Sequence, residues 1–265
     1  MNDKSLSYDN LLDEFAKEHP RTAAHLSLAS SQRCANLHRY LQGVRLGGFE
    51  QLLEHLDVVH KVYSASETLQ KVAFLVKRSV GDFVTALDAA MSGNHNVAHD
   101  AMRDVMEIEF LLRDFSLDVS RINVWLTANN DNLYKRFRPA VLRQRFATHL
   151  GVQVNELSEA TDYKGHSMFL HVGPRQNPFG MPGIAEQIDL FAVDSCFWEI
   201  FEHARRLLIA IDTLGQRVEA GIMATHNPEK LDKLGNAWER TQEMQQIWQQ
   251  LIQKAVSDKK KKTDA

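Results

Sequence analysis

Apolar positions recur at helical spacing along most of the chain, and few breaks interrupt them. In residues 66–91 they fall at Leu69, Val72, Ala73, Val76, Val80, Phe83, Val84 and Leu87, one side of a helix that Ser66 is suited to cap. Ser92, Gly93 and Asn94 then make a turn. The next helix, 94–115, is apolar on two sides. Val97, Ala101, Val105, Ile108, Leu112 and Phe115 form one side, and Met102, Met106 and Phe110 form most of the other. Asp100, Arg103, Asp104, Glu107 and Asp114 crowd into the remaining sector. A helix apolar on two sides belongs at the centre of a bundle. Its polar strip then faces solvent, a cleft or a polar network.

Shorter helices are expected over 117–126, over 139–150, where Pro139 suits a first turn, and over 163–171. Residues 172–183 are rich in Gly and Pro and read as a hinge, a lid or a plain connection. Two long helices follow, over 184–222 and 229–256, with Asn227 as a cap and Pro228 at the first position of the second. The connection between them is short, so an antiparallel pair is expected. Strand-like alternation is limited to Val152, Gln153 and Val154. The expected fold is all-α, a multi-helix bundle with a long C-terminal antiparallel helix pair. Its parts are an N-terminal helical segment (1–60), a helical core (61–171), the long pair (184–257) and a solvated basic tail (258–265).

Composition narrows the function classes. Hydrophobic residues make up 44% of the chain and charged residues 25%, enough for a buried core. The net charge of −3 provides no overall field for nucleic acid, so any such contact must be local. Cys34 and Cys196 lie far apart with no CxxC spacing, which suits reduced thiols. The first residues are polar, and no run approaches the ~20 apolar residues of a membrane helix. A cytoplasmic protein without a membrane partner is expected. There is no GxxxxGK[ST], GxGxxG or GxSxG pattern, so a phosphate loop, a dinucleotide fold and a nucleophile elbow are unsupported, and no cofactor is expected.

Three groups of residues can carry chemistry. Arg103 and Glu107 lie four apart on the polar strip, where Arg can hold a phosphate and Glu can orient it; the same spacing also suits an ordinary surface ion pair. Tyr163, Ser167 and His171 share one helical face, with His166 alongside, which suits acid–base work or a structural hydrogen-bond network. Arg136, Arg138, Arg143 and Arg145 cluster around Phe137 and can supply local positive potential for RNA, or simply a solvated face. His95 and His99 are also four apart, but no HExxH pattern or second carboxylate–histidine set accompanies them, so no metal site is expected.

The run from Ala86 to Gly93, followed by Ala98, Arg103 and Glu107, resembles an uncharacterised bacterial helical family. In that family a helix with Arg-x-x-x-Glu is followed by a Tyr-x-x-x-Ser-x-x-x-His segment, matched here by Tyr163, Ser167 and His171. The family looks like a distant relative of the HEPN domains of bacterial toxin–antitoxin and phage-defence systems, many of which are metal-independent ribonucleases. The resemblance covers roughly residues 66–171. It implies a HEPN-like domain that binds or cleaves RNA or binds a nucleotide. Arg103 would bind phosphate, His171 would be the acid–base, and Glu107, Tyr163, Ser167 and His166 would orient substrate or catalyst. The Arg-x4–6-His spacing of ribonuclease members occurs at Arg33–His38 and Arg143–His149, no more often than arginine and histidine content produces by chance. Either the catalytic motif is therefore absent, or Arg103 and His171 meet from separate helices. The competing expectation is a non-catalytic helical scaffold or regulator. Trp198, Trp238 and Trp248 on the long pair suit a homodimer interface as well as a core.

Overall fold

A computed structural model of the chain describes residues 7–157, 163 and 185–218, together with 235–237, 239, 240, 242, 243, 246 and 250. No strand occurs among them. The elements are α1 (Tyr8–Glu18), α2 (Pro20–Tyr40), α3 (Val44–Ala65), a 3-10 turn (Leu69–Lys71), α4 (Ala73–Met91) and α5 (His95–Leu117). Then come α6 (Arg121–Leu126), α7 (Asn130–Phe137), α8 (Pro139–Leu150), a second 3-10 turn (Val154–Glu156) and α9 (Ala185–Val218).

Local signals account for several ends. The Ser7 and Asn129 side chains accept hydrogen bonds from the N–H groups of Asn10 and Asn132, capping α1 and α7. Pro20 and Pro139 open α2 and α8, where a missing N–H costs nothing. Gly151, at φ +71, closes α8 in the left-handed conformation that glycine tolerates. One expected start moves. Ser66 instead ends α3, and its side chain accepts from the Leu69 N–H at 3.3 Å at the 3-10 turn. The long helix begins at Ala73, because Leu69 and Val72 are drawn into the core before the chain turns.

The core lies among α3, α4, α5 and α9. Lys77 reaches Asp57 at 3.5 Å and Arg78 pairs with Asp104, so α4 runs antiparallel to both α3 and α5. The contacts of α9 advance in the same direction as those of its neighbours. Arg45 donates to Asp194 at 2.5 Å, while the Tyr63 hydroxyl donates to the Ile211 carbonyl at 2.6 Å. Cys196 lies 3.8 Å from His95, and Arg206 lies 3.5 Å from Glu109. So α9 is parallel to α3 and α5. A parallel neighbour cannot follow through a short loop, and α6, α7 and α8 lie in the long return between α5 and α9.

The α5–α9 contact is polar as well as apolar. His95, His99, Met102, Met106 and Glu109 step by four and three along α5, all buried. Across them lie Cys196, His203 and Arg206, also buried. Arg113 meets Glu109 at 3.1 Å, Arg206 lies 2.6 Å from His203 Nδ1, and His203 Nε2 lies 3.1 Å from Glu199. Groups of this kind add little net stability, but sliding either helix by one turn would strand them. Burial pushes the Cys196 thiol up to about 12, so it packs as an apolar group rather than a thiolate.

No residue of α1 is buried. The second half of α2 docks on the α4–α5 turn: Arg33 reaches Asp88 at 3.0 Å, and the Asn36 amide donates to the Met91 carbonyl at 2.9 Å. The first expected long C-terminal helix is α9. The second, over 229–256, falls largely outside the described residues, as does its pairing. No described helix is long and apolar enough to cross a membrane.

Candidate functional site

The polar strip of α5 faces α4 on one side and Tyr163 on the other. On the α4 side, Arg78 pairs with Asp104 and lies 3.9 Å from Asp82. Burial lifts the Asp82 carboxyl up to about 6, and the nearby Asp104 charge adds to the shift. On the other side, Arg103 and Glu107 form an ion pair at 3.5 Å. Arg103 Nη2 donates to the Tyr163 hydroxyl at 3.2 Å, and that hydroxyl donates to Glu107 Oε1 at 3.3 Å. Burial raises the Glu107 carboxyl above its ordinary value, opposed by the Arg103 charge beside it.

Helix α8 contributes the remaining member. The Arg143 guanidinium lies 4.2 Å from the centroid of the Tyr163 ring and 5.6 Å from that of Phe110. This is cation–π stacking on two rings. Burial lowers the Arg143 pKa, since the charged form loses water. Its Nε and Nη1 are enclosed and have no hydrogen-bond partner among the described residues. A small depression beside it, between α5 and α8, has Phe110, Arg113, Asp114, Leu142, Arg143 and Phe146 among its lining residues. The cluster is therefore an Arg–Glu pair closed through a tyrosine hydroxyl, with a further guanidinium on the tyrosine face. Arg103 is neutralised by Glu107, whereas Arg143 has no carboxylate partner among the described residues.

The basic residues divide into two sets. Arg145 turns inward and, with Arg121 at 2.6 Å, holds Asp114, which is buried. Arg145 also donates to the Arg136 carbonyl at 3.2 Å, and Arg121 stacks on Phe137. These contacts lock α6, α7 and α8 onto the end of α5. Of the surroundings open to the polar strip, Asp114 thus meets a polar network rather than solvent. The Arg136 and Arg138 side chains are exposed at the α7–α8 junction, with Lys135 beside them. Arg138 donates to the Tyr134 hydroxyl at 3.2 Å and lies over the Tyr134 ring at 5.1 Å. Among the described residues none of Lys135, Arg136, Arg138 and Arg143 meets a carboxylate.

Of the residues singled out from sequence, Arg103, Glu107, Tyr163 and Arg143 come together. His166, Ser167 and His171 lie outside the described residues. His95 and His99 are buried in the α5–α9 seam. Among the described residues no group of three or more metal-ligating side chains gathers. Tyr134, Lys135, Asp82 and the Asp114 clamp escaped sequence reasoning. One signal was available: residues 132–155 contain neither Asp nor Glu, while Lys135, Arg136, Arg138, Arg143 and Arg145 fall within them. Comparison with family models, curated proteins and solved structures finds no match for this chain.

Proposed function

We propose that this chain is an RNA-binding helical protein, HEPN-like in the sense of the bacterial defence and toxin systems that its motifs resemble. The observation that carries this reading is the set of cations on α7 and α8. Lys135, Arg136, Arg138 and Arg143 have no carboxylate partner among the described residues, and two of their guanidiniums lie over tyrosine rings. Unpaired cations beside aromatic rings suit phosphates next to bases. In a chain of net charge −3, these gathered cations, bordered by Asp131 on α7 and by Glu107 beside Tyr163, are a local feature rather than a reflection of composition. Arg103, Glu107 and Tyr163 adjoin it and would orient a bound phosphate. With His171 as acid–base, as the resemblance implies, the same surface would cleave RNA.

The test is fluorescence anisotropy with a labelled single-stranded oligoribonucleotide at low salt. Arg143→Gln is expected to weaken binding about 5- to 30-fold, for a loss of ~1–2 kcal/mol from a stacked, charge-assisted phosphate contact. Arg143→Lys should recover little, because an ammonium lacks the planar stack. Absence of binding by the wild type sinks the reading. Cleavage is checked on the same oligonucleotide in chelator, wild type against His171→Ala.

A scaffold or regulator that dimerises is favoured by a different observation. Tyr8, Leu11, Leu26, Leu28 and Leu41 are exposed along α1 and α2. Light scattering across a concentration series distinguishes a monomer from a dimer.

A further inference from the structure

We propose that the exposed Tyr134 ring, oriented by Arg138, is a stacking platform for one base of a nucleic acid strand, which makes single strands rather than duplexes the ligand of the α7–α8 surface. This rests on the RNA-binding reading and specifies its ligand.

Tyr134 is 66% exposed, on a helix that is otherwise firmly seated. Phe137 is buried under the Arg121 guanidinium, and Leu133 packs against the core. The Asn129 cap fixes the start of α7, and the bond from Arg145 to the Arg136 carbonyl fixes its end. The ring therefore projects from a rigid element. Arg138 binds its hydroxyl and lies over one face, so the ring is aimed while much of it stays open to solvent. An isolated exposed tyrosine needs no explanation. This one is held in place among Lys135, Arg136 and Arg138, on an acid-free stretch.

The same arrangement recurs nearby. Arg143 stacks on Tyr163 as Arg138 does on Tyr134. Arg138 caps α8, roughly 8 Å along the helix axis from Arg143. Tyr163 is covered by Arg143, Arg103 and Phe110, so Tyr134 is the ring that offers a π-face to a base, with Arg138 supplying charge to a phosphate. In a duplex the bases are stacked on one another and paired, so an aromatic face cannot reach them. Charge complementarity selects a polyanion, and the open ring selects one with unstacked bases.

The experiment uses the full chain and three labelled ligands: a single-stranded oligoribonucleotide, the same strand annealed to its complement, and a ribose-phosphate oligomer of equal length without bases. Anisotropy is read for wild type, Tyr134→Ala and Tyr134→Phe. The expected result is that Tyr134→Ala binds the single strand about 5- to 100-fold more weakly, the range of one base–aromatic stack. Its salt dependence should be unchanged, because no cation is lost. Tyr134→Phe keeps the ring and should stay within about threefold of wild type. The base-free oligomer should bind wild type and Tyr134→Ala alike. Equal binding of the single strand by wild type and Tyr134→Ala overturns the platform and leaves RNA binding standing. So does duplex affinity equal to that of the single strand. Absence of wild-type binding to any of the three overturns RNA binding itself, and the platform with it.

Discussion

Asp114 on α5 and Asp82 on α4 differ in what surrounds them. The Asp114 carboxylate is shared by two guanidiniums, Arg121 and Arg145. Replacing it by Asn leaves both cations without their countercharge. Equilibrium urea unfolding of Asp114→Asn should show a loss of about 3 kcal/mol, at the lower end for a broken buried pair because Arg145 keeps some contact with water. Asp82 has one guanidinium at 3.9 Å and is enclosed, so its carboxyl is raised to about 6. A carboxyl whose folded pKa exceeds its unfolded value holds its proton more tightly when folded. It therefore reduces stability as pH rises from about 4 through 6, and the cost is complete above that window. Asp82→Asn should match wild type near the acid end and exceed it by on the order of 1–3 kcal/mol near neutrality, in unfolding curves at several pH values. Sequence alone put Asp114 on a polar strip and left open whether that strip faces solvent, a cleft or a polar network. Helical spacing assigns a direction from the axis, and it cannot know that α6 and α8 return to cover that direction.

At the scale of elements, the chain's punctuation was partly readable. Pro139 and the Ser92–Gly93–Asn94 turn sit where helices begin and end, as read from sequence, whereas Asn129 and Gly151 were not singled out. Gly93 carries more than a turn. Its φ of +80 favours glycine, and a Cβ there would lie within 2.5 Å of the Gln32 side chain from α2. Gly93→Ala should cost about 1–2 kcal/mol in urea unfolding, chiefly from the left-handed backbone, since the Gln32 side chain can swing aside. The start of α4 was misread by several residues, because Leu69 and Val72 fit the helical period yet are pulled inward ahead of the helix. The parallel course of α9 beside α5 had no local signal. Cys196 and His95 are 101 residues apart, and Glu109 and Arg206 are nearly as distant. Each looks like an unremarkable polar residue in its own helix.

For the whole molecule, the charge balance decides how a polyanion would be met. The total of −3 gives no long-range attraction, so the surface must supply it. With Lys135, Arg136, Arg138 and Arg143 as the contacts, the logarithm of RNA affinity should fall against the logarithm of salt with a slope of about −3 for a single strand. Removing Arg138 and Arg143 together should bring the slope to about −1.5. A slope unchanged in the double variant would place the contacts elsewhere.

The chain alone determined that the protein is helical, where several helices end, and that residues 94–115 form a central helix with a polar strip. Those properties follow from short-range periodicity and from the backbone preferences of Pro, Gly and Asn, which act within a few residues. Tertiary structure decided which charges stay free. Arg143 and Arg145 are two positions apart on one helix, so they point in different directions. One stacks on Tyr163 with no carboxylate partner among the described residues, and the other is consumed by Asp114. A charge is silenced or left available by whichever residue folding brings opposite to it, and here that residue comes from another helix.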